Sequence, residues 1–168
     1  MRRDLFSLLA ACAVLGLLLV GMPGAASAGD PLAEARLFCA GADEAGGKLI
    51  YLAGYNLKVE RIQFMGGPQW LQMHGGSCAS CHGPGGRGGM FPLQCDLRTP
   101  AVDFAALAGA VAGKDRKSSP YTVATLRRTL EQSRDADGRT LDPCMPRWYP
   151  NDVDYRDLTA HLLHLSGR

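Results

Sequence analysis

The sequence has no marked excess of either charge. Lys and Arg together number 18 and Asp and Glu together 16, so the formal net charge at pH 7 is only +2. No basic stripe or arm is present, which argues against nucleic acid as a partner. A balance this even still allows a local charged patch on one part of the surface.

The sequence also lacks a second Cys-x-x-Cys pair. The one pair is Cys78 and Cys81, and the other cysteines after residue 28 stand singly. A four-cysteine zinc ribbon usually has two such pairs, so that class of site is disfavoured, although a zinc site with other ligands stays open. A thiol–disulfide oxidoreductase is disfavoured too, because a glycine-rich loop and not a helix follows Cys81.

A histidine, His82, directly follows the pair Cys78 and Cys81. The segment Cys78-Ala79-Ser80-Cys81-His82 has the C-x-x-C-H spacing of a c-type haem attachment site. Two thiols at this spacing can bond to the two vinyl-derived carbons of one porphyrin, and a neutral His82 imidazole can then bind the iron. One covalent haem c is therefore predicted, with Cys78 and Cys81 as its attachment residues and His82 as a metal ligand. No second C-x-x-C-H occurs, which excludes a dihaem peroxidase.

Residues 1–28 have the three parts of a secretory signal peptide. Two arginines precede a long apolar run, and Ala26-Ser27-Ala28 forms a small-x-small cleavage site. Cleavage after Ala28 is the favoured hypothesis, and the alternatives are an uncleaved membrane anchor and a lipoprotein processed at Cys12. Each of the three would export the haem motif, so the predicted location is the periplasm, where disulfides persist.

Residues 29–168 are enough for one domain with one core. Apolar residues recur at helical spacing in several segments. For one helix, Ser119 is the predicted cap and Pro120 the first residue. Residues 57–64 alternate apolar and polar, which predicts a short strand or extended segment. Helices are predicted at about 31–38, 43–53, 68–73, 103–111, 120–132 and 152–165, with Asp30 and Asn151 as caps of the first and the last.

An electron-transfer haem generally has a second protein ligand, often a methionine, whose thioether favours Fe(II). Of the four methionines after residue 28, Met65, Met73 and Met90 lie near His82 in the sequence, on segments tied to its side of the ring. Met145 differs, because it lies far beyond His82, between Pro143 and Pro146, and these two prolines stiffen its loop. Met145 is therefore the predicted second iron ligand.

The haem motif is followed by further motifs in a characteristic order. They are the glycine-rich loop after Cys78-Ala-Ser-Cys-His-Gly, Pro92-Leu93, Asp137-Gly138-Arg139, Leu141-x-x-x-Met145-Pro146-x-Trp148, and Asp157-Leu158-x-x-His161-Leu162-x-x-Leu165, spanning about 71–165. In this order they resemble the class I cytochrome c family. The resemblance implies an all-α fold wrapped around one haem c, with thioether bonds at Cys78 and Cys81. It also implies His82 and Met145 as axial ligands, and the Pro92 carbonyl as acceptor of a hydrogen bond from the His82 ring.

One departure from the family concerns the residues before the haem motif. In the family a helix runs almost directly into that motif, and here residues 46–51 resemble that helix. Residues 54–77 intervene before the motif. We interpret them as an insertion near the haem edge, with a partner surface as its hypothetical role.

On this fold, Cys95 and Cys144 form the favoured disulfide, because Cys144 adjoins Met145 and Cys95 lies on the opposite arm of the haem cradle. A closed loop of about 50 residues contributes roughly 4 kcal/mol in the chain-entropy description. The alternatives are that Cys39 pairs with one of the two, or that all three cysteines are free.

The predicted function is that of a periplasmic monohaem c-type cytochrome, an electron carrier and not an enzyme. Its expected partners are a donor and an acceptor redox protein, such as a membrane-bound oxidase or dehydrogenase, and the protein itself is expected to be a monomer. One alternative is a haem protein with an open sixth site, gas-binding or peroxidase-like. Another is a haem subunit of a larger oxidoreductase.

Overall fold

The computed structural model describes residues 29–109 and 118–167. These residues form seven helices and one two-stranded antiparallel sheet. The leader predicted at 1–28 lies outside the described residues, as does the end of the helix predicted at 103–111. No helix within the described ranges is long and apolar enough to cross a membrane. The helices are α1 Pro31–Phe38, α2 Glu44–Ala53, α3 Gln69–His74, α4 Cys78–His82, α5 Phe104–Ala108, α6 Val123–Gln132 and α7 Asp152–Leu165, and the strands are β1 Gln63–Met65 and β2 Arg147–Tyr149.

Three helices begin where the sequence predicts, because a side chain accepts hydrogen bonds from the first free N–H groups. Asp30 accepts from the N–H of Leu32 at 3.0 Å, and Asn151 accepts from the N–H of Asp154 at 2.9 Å. Asp43 accepts from the second and third residues of α2. The mostly helical chain agrees with the predicted all-α class.

The start predicted for α6 is wrong. The helix begins at Val123 with Thr122 as its cap, and not at Pro120 after Ser119. The N–H of Thr122 donates to the hydroxyl of the third helical residue at 2.8 Å, which completes a reciprocal capping box. The residue before the cap, Tyr121, donates its N–H to the carbonyl of Leu107 in α5 at 2.8 Å. This bond to another element holds the chain extended where the local signal favours a helix.

The strand predicted over 57–64 is shorter and lies later, at β1 Gln63–Met65. A turn interrupts the alternating segment, because the side-chain oxygen of Asn56 accepts from the N–H groups of Lys58 and Glu60, both at 3.0 Å. Val59 has a φ of 62° within this turn. Strand β1 pairs with β2 Arg147–Tyr149, a strand not predicted from the sequence. The pairing brings the chain before the haem motif beside the loop that carries Met145.

Helices α2 and α7 pack closely against each other. Gly46 and Gly47 of α2 are buried, and a Cβ added to Gly47 would lie 1.9 Å from the carbonyl oxygen of Asp157 in α7. The two glycines that weaken α2 as an isolated helix therefore allow the two helix backbones to meet. The core around this contact includes Ile50, Tyr51, Phe104, Tyr155, Leu158 and Leu162.

Replacing Gly47 by alanine should destabilise the fold. The added methyl group meets backbone and not a flexible side chain, so we expect the upper part of the about 1–3 kcal/mol typical of overpacking. The opposing gain in helix propensity, about 1 kcal/mol, is smaller. Denaturant unfolding measures the difference. Gly85→Ala is the control, because its Cβ would meet nothing within 4 Å, and a Gly47→Ala variant as stable as this control would contradict the close contact.

Candidate functional site

One apolar cleft contains all four residues predicted to bind the cofactor. Cys78, Cys81 and His82 line it from α4, and Met145 lines it from the loop before β2. The cleft encloses about 1180 Å³ of space between protein atoms, open solvent at its mouth included. An apolar cleft with a few convergent donor atoms fits a large flat porphyrin with one metal ion at its centre. Its walls are mainly apolar, with Leu71, Val102, Leu107, Leu126, Leu130 and Leu158 among them.

Helix α4 is short, and contacts at both ends hold it against α2. At its start, the Ser77 hydroxyl donates to the carbonyl of Leu52 at 2.9 Å, and the Ser77 N–H donates to the Ser80 hydroxyl at 3.1 Å. At its end, the buried hydroxyl of Tyr51 donates to the carbonyl of Gly83 at 2.7 Å. These bonds fix the direction in which the two thiols and the imidazole enter the cleft.

His82 is buried and its ring is oriented by one hydrogen bond. Its Nδ1 lies 2.9 Å from the carbonyl oxygen of Pro100, and a carbonyl can only accept, so Nδ1 carries the proton. The other nitrogen, Nε2, is then unprotonated and available as a metal ligand. Burial lowers the pKa of His82, with the bond to Pro100 opposing it. The neutral imidazole, the form that binds iron, is thereby favoured.

The acceptor predicted from the family resemblance is wrong, since it is Pro100 and not Pro92. The carbonyl of Pro92 accepts from the N–H of Cys95 at 3.0 Å in a turn. Met90 and Thr99 bond to each other through their backbones, so residues 91–98 project as a loop. The chain returns to His82 only at Pro100. The acceptor is therefore the proline that follows this loop, Pro100, and not Pro92 within it.

Thr99 supports this arrangement and was missed from the sequence. Its hydroxyl donates to the carbonyl of Cys81 at 2.9 Å and accepts from the N–H of Met90 at 3.1 Å. Thr99, the residue before Pro100, is therefore bonded both to the haem motif and to Met90. A lone threonine well beyond the motif carries no local signal of this role.

Burial in the cleft favours the protonated form of both thiols of the haem motif. Burial raises the pKa of Cys78 to about 12 and also raises the pKa of Cys81. A zinc site needs thiolates and further ligands. Within 29–109 and 118–167, however, no group of three or more His, Cys, Asp or Glu side chains is arranged to hold a metal ion. The residues present therefore fit a haem better than the zinc alternative.

Met145 is held from both sides of its loop. Its N–H donates to the carbonyl of Asp142 at 2.9 Å, and its own carbonyl accepts from the Ser133 hydroxyl at 3.2 Å. Pro146 after it is buried and lines the cleft, and β2 begins at the next residue. Ser133, at the end of α6 with a φ of 54°, was not predicted from the sequence as a partner of this loop.

The favoured disulfide is confirmed: Cys95 is bonded to Cys144, with a sulfur–sulfur distance of 2.04 Å. Cys39 is a free thiol, and its Sγ lies 3.7 Å from the carbonyl of Arg156. Burial raises the pKa of Cys39 to about 11. The pairings that involve Cys39 are therefore excluded. The bond joins the loop that contains Pro92 to the loop that carries Met145.

Removal of this disulfide should lower the free energy of unfolding by about 2–4 kcal/mol, because it closes a loop across 49 residues. The measurement is denaturant unfolding of the haem-loaded protein and its Cys95→Ser/Cys144→Ser variant. Dithiothreitol should lower wild-type stability to that of the variant. Cys39→Ser, treated in the same way, should respond to dithiothreitol as the wild type does. A wild type that dithiothreitol leaves unchanged would contradict the expected contribution.

The histidines outside the motif do not line the cleft. His161 is buried on α7, where its Nδ1 lies 2.6 Å from a carboxylate oxygen of Glu44 and its ring centre 5.3 Å from that of Tyr51. It therefore packs α7 against α2. His164 stacks beside His161, and His74 is exposed at the end of α3.

The helical chain surrounds an apolar cleft that is lined by the two thiols of C-x-x-C-H and by its imidazole, whose Nε2 is unprotonated. These features define a protein that carries haem covalently. The Cytochrome c family model matches residues 70–166, more than half of the chain, and the chain belongs to the cytochrome c family. Membership implies covalently bound haem c, and members of this family are generally electron carriers. No curated protein and no solved structure matches the chain.

Proposed function

We propose that this protein is a periplasmic monohaem c-type cytochrome that carries single electrons between two redox proteins, with His82 and Met145 as the iron ligands. The observation that supports it most is the position of these two side chains in the same apolar cleft. When bound, the haem supplies reversible one-electron oxidation and reduction of its iron. The protein's own side chains attach the haem and bind its iron.

Four side chains have distinct roles in this proposal. Cys78 and Cys81 hold the cofactor covalently, so that it is not lost between partners. His82 offers Nε2, because the Pro100 carbonyl keeps the proton on Nδ1. Met145 offers a thioether, which favours Fe(II) and raises the reduction potential.

The same arrangement supports a carrier over the alternative of an open sixth site. A substrate or gas needs a free position on the iron, and a methionine held by its own loop would fill that position. The apolar walls keep water from the cleft, and this limits the solvent reorganisation that accompanies a change in the charge of the iron. A carrier then passes its electron without binding a substrate at the iron.

The periplasmic location rests on the predicted leader and on the disulfide. Residues 1–28 have the pattern of a secretory signal with cleavage after Ala28. The bond between Cys95 and Cys144 is of the kind that persists in an oxidising compartment. Fractionation of the source cells, with the intact mass of the purified protein, tests both the location and the cleavage site.

A redox titration with optical spectra tests the central claim. We expect a single one-electron transition, the weak far-red sulfur-to-iron band in the oxidised protein, and no rapid binding of carbon monoxide by the reduced protein. Rapid carbon monoxide binding without the far-red band would instead favour the open sixth site. Isolation only as part of a larger assembly would favour the haem-subunit alternative.

A further inference from the structure

One wall of the cleft is made of segments that place some side chains in the cleft and others in solvent. On α3, Leu71 lines the cleft and is 1% exposed, whereas Met73 two residues later is 68% exposed. After the glycine-rich loop, Pro92 lines the cleft, whereas Phe91 and Leu93 on either side of it are 73% and 72% exposed. These exposed side chains belong to the same short segments as residues that line the cofactor cleft.

Hydrogen bonds and strand pairing join the segments of this wall. The indole N–H of Trp70 donates to the carbonyl of Leu93 at 2.9 Å, which joins α3 to the loop after the haem motif. In the sheet, exposed Met65 pairs with Arg147, whose neighbour Trp148 is buried and lines the cleft. We call the exposed apolar side of this wall the outer wall face, consisting of Met65, Met73, Phe91 and Leu93.

The charges near the outer wall face are mainly positive. Residues 61–100 and 141–149, which contain the face, carry four arginines and two aspartates. Arg98 and Arg147 are exposed, and within the described part of the chain neither forms an ion pair. By contrast, residues 43–60 and 151–157 carry six acidic and three basic residues. The segments that carry the outer wall face therefore have more basic than acidic residues, with Arg98 and Arg147 exposed.

We propose that the outer wall face is the docking surface for a redox partner protein whose own apolar contact patch is bordered by carboxylates. This inference rests on the proposed function, since only an electron carrier needs a partner here. Clusters of exposed apolar side chains mark interaction sites on soluble proteins. The arginines select a partner of negative potential and speed its encounter. Because Leu71 and Pro92 line the cleft behind the face, a docked partner is brought close to the cofactor.

A second copy of this chain fits the face less well. A two-fold symmetric contact would place the same surface on both sides and so bring Arg147 and Arg98 towards their own copies. Like charges facing each other in an interface are unfavourable. A lipid surface would gain nothing from the position of the face directly behind the cofactor cleft. Both occupants are therefore outcomes for the test and not part of the proposal.

The test measures electron transfer from the reduced, haem-loaded protein to a purified acidic blue-copper protein by stopped flow. Leu93→Ser and Phe91→Ser should each lower the second-order rate constant by about tenfold, as for a central contact residue. Arg147→Glu should lower it by about tenfold at low salt, with the difference disappearing as ionic strength rises. Leu37→Ser is the matched control, because Leu37 is equally exposed, at 75%, but lies on α1.

Oxidation by hexacyanoferrate(III) and a redox titration are measured on every variant. Unchanged spectra and potentials with a slower reaction with the copper protein support the docking surface. The docking surface is overturned if the variants of the outer wall face react as fast as wild type, or if Leu37→Ser is slowed equally. Reversible redox chemistry in the same proteins would leave the proposed function intact. No reversible one-electron transition in wild type overturns the proposed function itself. Self-association, or sedimentation with anionic phosphatidylglycerol vesicles, that Leu93→Ser abolishes would overturn the proposal in favour of those occupants.

Discussion

Met145→Ala is expected to abolish the far-red absorption band and to open the iron to carbon monoxide. Alanine has no sulfur, and no other methionine of the described chain lines the cleft, so no described thioether replaces it. The reduction potential should fall, because loss of the thioether removes the ligand that favours Fe(II). Spectra of the oxidised form, carbon monoxide mixing of the reduced form and a redox titration measure the three effects.

The matched controls for this variant are Met65→Ala and Met73→Ala. Both side chains are largely exposed, at 61% and 68%, and both lie outside the cleft lining. They should keep the band, the slow reaction with carbon monoxide and the wild-type potential. A band that survives in Met145→Ala, or that disappears in Met73→Ala, would contradict the assignment of the second ligand. Thermal unfolding of each variant separates loss of the ligand from loss of the fold.

The second large effect is expected from Cys78→Ala/Cys81→Ala. The double variant has no thiol with which to form a thioether, so no haem should stay on the chain after denaturing electrophoresis. Without an attached cofactor the apolar cleft is left unfilled, and an unfilled apolar space destabilises a core in proportion to its volume. We therefore expect loss of the haem stain together with a much lower yield of folded, protease-resistant protein.

The control for the haem motif uses the free thiol outside it. Cys39 lies on the C-terminal side of α1, outside the cleft lining, and Cys39→Ala should retain haem at the wild-type level. Single Cys78→Ala and Cys81→Ala variants should each retain one thioether bond, which the absorption maximum of the denatured haem product distinguishes from two. Covalent haem on the double variant would exclude these two cysteines as the attachment residues.

Local signals in the sequence were enough for several parts of the fold. The side chains of Asp30 and Asn151 cap α1 and α7 through bonds to residues two and three positions away, so the information lies within one turn. The haem motif is equally local, because five consecutive residues form α4 and direct Cys78, Cys81 and His82 into one cleft. Patterns of this kind depend on neighbours in the chain and can be read directly.

Other parts depend on residues far apart in the chain. Strand β2 exists because Arg147–Tyr149 meets Gln63–Met65 from a distant part of the chain, and three residues are too few for an alternating pattern to predict β2. The start of α6 is set by a bond between Tyr121 and Leu107, against a local signal for an earlier start. In both cases a contact between distant segments outweighs a weak local preference.

That this protein carries haem c could be inferred before any fold was known, because the C-x-x-C-H spacing predicts it, and the flanking prolines predict Met145 as the second ligand. The folded chain was needed to establish which carbonyl orients His82, where the free thiol and the disulfide lie, and which apolar side chains face solvent behind the cleft. These features depend on contacts across long loops, whereas the cofactor residues are identified from their neighbours in the chain. The bond from His82 to Pro100 and the bond from Ser133 to Met145 span segments whose course is set by packing. No pattern of neighbouring residues specifies where such segments return.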